Sequence, residues 1–156
     1  MAEEEKGNIQ FDIKVEGLDR LQDAFKRAPE IVGREVQQAL NLATTKVQGE
    51  ARKEAPVKTG YLRKRILFTV EPFRGIVESK AEYGIYVHEG TRPHDIYPVK
   101  KPVLADKKKK IIYGKHVYHP GFKGNPFMER GAKNAESDVQ KIFQKAVENI
   151  TNQLAK

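Results

Sequence analysis

Four histidines are the residues of this 156-residue chain best suited to chemistry: His88, His94, His116 and His119, with Glu89 and Asp95 beside two of them. Imidazole and carboxylate groups together can hold zinc or move a proton. Their spacing argues against both roles. His116 and His119 are three apart, which serves one metal on a helix, whereas the Pro120 and Gly121 that follow point to a strand or turn. Polar surface or turn histidines near aromatic residues are the simpler reading. Glu82 and Glu89, the carboxylates nearest a histidine in the central motifs, form a pairing that any charged loop supplies.

Nucleophiles fare no better. There is no cysteine, which excludes disulfides, cysteine zinc sites and thiol catalysis, and neither Ser79 nor Ser137 sits in a glycine-flanked elbow. No glycine-rich phosphate loop precedes a helix. The sequence therefore assigns no catalytic, cofactor-binding or metal-ligating residue, predicts no cofactor, and points away from an enzyme.

The elements that would carry a site surround three short motifs. These are APVKTGYLRKRI (Ala55 to Ile66), YGIYVHEGT (Tyr83 to Thr91) and HPGFKGNPFMERGA (His119 to Ala132). Before the first, Ile9, Phe11, Ile13 and Val15 alternate with polar residues as in a half-buried strand, and Leu18, Leu21 and Phe25 have helical spacing up to Pro29. Pro29 can also open the next helix. From Glu30 to Ala55, the residues Val32, Val36, Ala39, Leu40, Ala43, Val47 and Ala51 fall on one helical face, an Ala-rich stripe about 39 Å long.

Pro56 ends that helix, and Thr59 with Gly60 turn the chain into a strand carrying Leu62, Ile66, Phe68 and Val70. Pro72 to Gly75 reverse it, so that Gly75 to Ser79 return antiparallel. Tyr83, Tyr86 and Val87 fit one helical turn stopped by Gly90, or a strand. Residues 91–124 are the least regular part, an extended loop or arm. In it, prolines separate the apolar pieces Val103 to Leu104, Ile111 to Tyr113 and Val117 to Tyr118. Asn125 and Pro126 open a last helix whose apolar face is Met128, Ala132, Ala135, Val139, Ile142, Phe143, Ala146 and Ile150.

The predicted fold is α+β: a small antiparallel β-sheet packed against a long α-helix and a C-terminal α-helix, as a single domain over 1–156 with a disordered leader at 1–8. The leader MAEEEKGN has no apolar h-region, and no stretch approaches the roughly 18 apolar residues of a membrane span.

Charge is unevenly distributed. Residues 46–130 hold 19 Lys or Arg against 9 Asp or Glu, and the rest holds 10 against 12. This favours a polyanionic neighbour, either DNA or an acidic protein, or else a solvated basic face. Candidate contacts are Arg63, Arg65, Lys107, Lys108, Lys109 and Lys110. On a strand, Arg63 and Arg65 would share one face with Lys64 opposite.

Taken in order, the three motifs resemble the tailed-phage head-tail joining family, the neck or tail-completion proteins of long-tailed bacteriophages, to which the minor tail protein Z of phage lambda is related. The resemblance rests on Ala55, Pro56, Thr59, Gly60, Leu62 and Arg63, then Tyr83, Tyr86, Val87, Glu89, Gly90 and Thr91, then His119, Pro120, Gly121, Pro126, Phe127 and Ala132. It spans about residues 35–145. Arg65 departs from it, standing where a serine commonly precedes the isoleucine.

The resemblance implies a structural virion protein that joins tail to head or completes the tail at the neck, assembling in the host cytoplasm. It implies a homo-oligomeric ring, a hexamer by preference, around the DNA channel. Its partners would be neck, tail-terminator or tail-tube proteins, with non-specific contact to DNA and none to a membrane. The interface residues it implies are Thr59, Gly60, Leu62, Arg63, Tyr83, Tyr86, Glu89, Gly90 and Thr91. The rival is a basic, non-specific nucleic-acid-binding module. A histidine-dependent metal hydrolase is a more distant third.

Overall fold

A computed structural model describes residues 9–13, 28–100, 102–106 and 110–154. The helix read over Leu18 to Phe25, the leader at 1–8 and Lys107 to Lys109 lie outside the described residues. The chain divides into two compact units, Met1–Ile85 with Pro126–Lys156, and Tyr86–Asn125. The architecture is α+β, with two long helices and small antiparallel sheets.

In the first unit, α1 (Pro29–Glu54) opens with Pro29 in its first turn, where a missing N–H costs nothing. Its buried face holds every apolar residue of the expected stripe, together with Glu35, Thr44 and Gln48. The last helix of the chain, α4 (Phe127–Leu154), lies antiparallel to α1. Val32, Val36, Ala39, Leu40 and Ala43 of α1 pack with Phe143, Ala146 and Ile150 of α4 in one core cluster. Phe127 and Met128, at the start of α4, are among the largest fully buried side chains. Each such side chain contributes about 1.5–3 kcal/mol by leaving water. The Pro126 carbonyl accepts the Arg130 N–H at 3.1 Å, so α4 begins one residue later than the Asn125–Pro126 reading placed it.

Polar pairs on either side of this core set the register of the two helices. The Glu35 carboxylate accepts Gln153 Nε2 at 2.9 Å and Asn149 Nδ2 at 3.1 Å, and these hydrogen bonds, Gln153 first, hold its pKa below the ordinary carboxylate value. Lys46 Nζ lies 2.7 Å from Asp138 and 3.5 Å from Glu50. Its bond to Asp138 raises the Lys46 pKa and lowers that of Asp138. Glu50 is lowered first by Lys53 and then by Lys46. Arg130 Nε donates to Glu54 at 2.8 Å.

The sheet beside these helices has the order β1 (Ile9–Ile13), β3 (Arg74–Ser79), β2 (Ile66–Glu71), antiparallel throughout. In the β2–β3 register Ile66 faces Ser79 and Phe68 faces Val77. The hairpin turn is Pro72–Phe73, with Glu71 paired to Arg74, and Phe73 carries a positive φ of 64°. One expectation fails between the helix and this hairpin. Tyr61–Lys64 form a single helical turn, α2, and the strand starts only at Ile66. Leu62 is buried from that turn and occupies no strand position.

In the second unit, α3 (Gly84–Glu89), which starts at the end of the first unit, leads into a chain that runs out and back. Three two-stranded antiparallel ladders nest along it. They are β4 (Gly90–Thr91) with β9 (Phe122–Lys123), β5 (His94–Ile96) with β8 (Val117–His119), and β6 (Leu104–Asp106) with β7 (Ile111–Gly114). The apolar pieces noted among the prolines supply β6, β7 and β8.

Candidate assembly surface

The first motif makes a bend that joins α1 to the sheet. Gly60 has φ 78°, left-handed backbone that an L side chain seldom adopts, and a Cβ there would meet open space. Backbone geometry, not crowding, is therefore what calls for glycine. Leu62 is 3% exposed and belongs to the core. Arg63 reaches back: its Nε donates to the Ala55 carbonyl and its guanidinium to the Lys53 carbonyl, each at 3.1 Å. It thus satisfies carbonyls left over at the C-terminus of α1 and places a cation at the negative end of the helix dipole. Gln48 and Arg52 both donate to the Ile66 carbonyl, at 2.8 and 2.9 Å, and tie α1 to the first residue of β2.

Because 61–64 is helical, Arg63, Lys64 and Arg65 are not divided between two strand faces as expected. Arg63 and Lys64 line one open basic cleft with Arg52 and Lys53. Arg65 is exposed at the end of α2, where its N–H bonds the Tyr61 and Leu62 carbonyls. Lys110 is exposed with φ 55°, while Lys107, Lys108 and Lys109 lie outside the described residues.

The second motif straddles the two units. Tyr83 belongs to the first, where its ring stacks on Tyr61 with centroids 6.1 Å apart and planes at 29°. Both tyrosines are nearly half exposed. Tyr61 stands inside the first motif yet carried no separate signal, since one tyrosine in a turn has no periodicity to mark it. Tyr86, in the second unit, is 58% exposed, and Glu89 is exposed at the end of α3. α3 is the helical turn that the i, i+3, i+4 spacing allowed, and Gly90 follows it with φ 87°.

Within the second unit the second and third motifs interlock. Gly90 pairs with Lys123 and Thr91 with Phe122, and the Asn125 N–H donates to the Val87 carbonyl at 2.9 Å. The two backbones approach so closely that a Cβ on Gly121 would overlap the Thr91 carbonyl, and one on Gly124 the carbonyl of His88. This is why the motifs carry glycines at those points.

The histidines lie one step further along. His94 and His119 face each other across β5 and β8 with ring centroids 5.0 Å apart. His94 Nδ1 is 2.8 Å from the Arg92 carbonyl, and the Gly121 N–H donates to His119 Nδ1 at 3.0 Å. His116 Nε2 meets Asp95 at 2.6 Å, with both side chains half exposed. Since His119 lies in a strand, the three-residue spacing from His116 does not put the two on one helical face. Among the described residues no three of His, Cys, Asp and Glu are grouped to hold a metal ion.

The fold and the motif geometry thus define a class, an α+β scaffold whose signature residues bend, cap and interlock backbone while leaving tyrosines exposed. Residues 19–90 match the family model described as "Bacteriophage HK97-gp10, putative tail-component". Over those residues the chain is similar to that tailed-phage family, and the match takes in α1, the first motif, the β2–β3 hairpin and the second motif up to Gly90. No curated protein and no solved structure matches the chain.

Proposed function

We propose that this phage tail component joins the tail to the head, or completes the tail at the neck, as a subunit of a homo-oligomeric ring around the DNA channel. A hexamer is the favoured ring, and the neighbours would be neck, tail-terminator or tail-tube proteins. The observation that carries the reading is the family match over residues 19–90, beside a Tyr61–Tyr83 stack left nearly half exposed in the first unit. Tyr83, Tyr86 and Glu89 are the side chains left outward for a subunit contact, whereas Gly60, Leu62 and Arg63 act by shaping the bend. The role is structural and non-enzymatic.

The test is a phage lacking this chain, complemented with wild type or with Tyr83→Ala/Tyr86→Ala. Electron micrographs of the deletion should show filled heads separate from tails, and wild type should restore joined particles. Joined particles at normal yield without the chain would end the proposal. The nucleic-acid rival is separated by size-exclusion chromatography with light scattering. A chain that stays monomeric with tail components present, and binds duplex DNA with a steep salt dependence, would favour the rival.

A further inference from the structure

The bend between α1 and β2 gathers positive charge without matching acids. Residues 52–65 carry six Lys or Arg and one acid, Glu54, and that carboxylate is already held by Arg130 at 2.8 Å and Asn134 at 3.2 Å. Four of the cations, Arg52, Lys53, Arg63 and Lys64, line one open cleft of about 240 Å³. Lys53 meets Glu50 at 2.8 Å, but among the described residues no carboxylate pairs with Arg52, Arg63 or Lys64. Both guanidiniums are instead fixed by neutral acceptors, Arg52 by the Ile66 carbonyl and Arg63 by those of Ala55 and Lys53. Each keeps its charge and further N–H groups.

Cations held in place without counter-charges favour an anionic ligand, because little further ordering is needed when it binds. The lining says which kind. Protein interfaces place apolar and aromatic groups at their centre and are depleted in lysine, whereas among the described residues this cleft is lined by two lysines and two arginines and by no apolar residue. Contact with a phosphodiester backbone needs clustered cations and little else, and an arginine fork fits two phosphate oxygens at once. Exposed Lys58 and Arg65, before and after α2, continue the charge beyond the cleft, which suits a polymer of phosphates better than a lone carboxylate. We propose that the cleft formed by Arg52, Lys53, Arg63 and Lys64 binds backbone phosphates of nucleic acid without reading base sequence. The site stands on its own geometry, and only the identity of the nucleic acid, the DNA of the particle, rests on the tail reading.

The test is fluorescence anisotropy of a labelled mixed-sequence DNA duplex titrated with the purified full chain at several salt concentrations. Lys64→Gln removes one phosphate contact from an exposed side chain. It should weaken binding about eightfold at about 0.1 M salt and reduce the salt slope by about 0.9. Lys145→Gln removes the same charge from an exposed site where α4 packs on the first half of α1, and should bind within about twofold of wild type. Equal losses in the two variants would assign the effect to net charge alone. That result, undiminished binding by Lys64→Gln, no duplex binding by wild type, or polyglutamate bound more tightly than the duplex would each overturn the proposal. If circular dichroism showed Lys64→Gln to be misfolded, Lys53→Gln, also exposed, gives the same comparison. The assay contains no phage component, so its failure leaves the tail role standing, and a failed complementation leaves the phosphate site standing.

Discussion

Arg63 Nε donates to the carbonyl of Ala55, eight residues earlier, and so closes the bend that leaves α1. Arg63 is thereby a helix cap as well as a surface charge. Arg63→Ala should lower unfolding free energy by about 1–2 kcal/mol, the worth of charge-assisted bonds to helix-end carbonyls. Arg63→Lys, which cannot span both carbonyls with one planar group, should fall between. Urea midpoints check this. A loss of particle joining in Arg63→Lys without a matching loss of stability would show a partner contact beyond the cap.

Gly60→Ala should destabilise by about 1 kcal/mol, because φ 78° is strained for any L side chain while the space around it is open. Gly60→Asn should cost less, since asparagine tolerates left-handed backbone. Gly60→Val should cost most and abolish assembly. Thermal midpoints that do not separate the three variants would count against a purely conformational role, and unchanged particle yield for Gly60→Val would remove the link to assembly.

Gly131 sets how closely α1 and α4 approach, because a Cβ there would overlap the backbone of Ala51. Replacing a helical glycine with alanine ordinarily gains about 1 kcal/mol. Here Gly131→Ala should instead destabilise by roughly 1–3 kcal/mol through overpacking. A raised melting temperature would contradict the close crossing.

The ion pairs along the same helices predict the pH profile. Folded pKa values of Glu35, Glu50 and Asp138 lie below the ordinary carboxylate value. Their contribution is therefore complete above that value and is lost as pH falls through the lower folded one. The raised Lys46 pKa acts oppositely, contributing below its ordinary value of 10.5 and fading as pH rises through the folded value. Melting temperature should be level for these groups from about pH 5 to 9 and fall on both sides. Asp138→Asn should flatten part of the acid limb and, by removing the main cause of the Lys46 shift, part of the alkaline one. An unchanged profile in Asp138→Asn would rule out the pair as a contributor.

The sequence by itself determined the parts with local causes. The 3.6-residue stripe from Val32 to Ala51 marks α1, the apolar face from Met128 to Ile150 marks α4, and Pro72 marks the β2–β3 turn. Periodicity and backbone restriction act over a few residues and show in any window of that length. The order of the motifs likewise pointed to a tailed-phage family. Tertiary structure alone decided what the motif residues do. Leu62 and Arg63 read as strand and surface, whereas residues 61–64 form a helical turn that buries Leu62 and lets the Arg63 guanidinium reach the Lys53 and Ala55 carbonyls. Residues 91–124 read as irregular because each strand is two to four residues long, too short for periodicity to register. Only the pairing of residues far apart in the chain, Gly90 with Lys123 and His94 with His119, turns those fragments into ladders. Such pairings are chosen by which distant backbones can meet, and no local window of sequence contains that information.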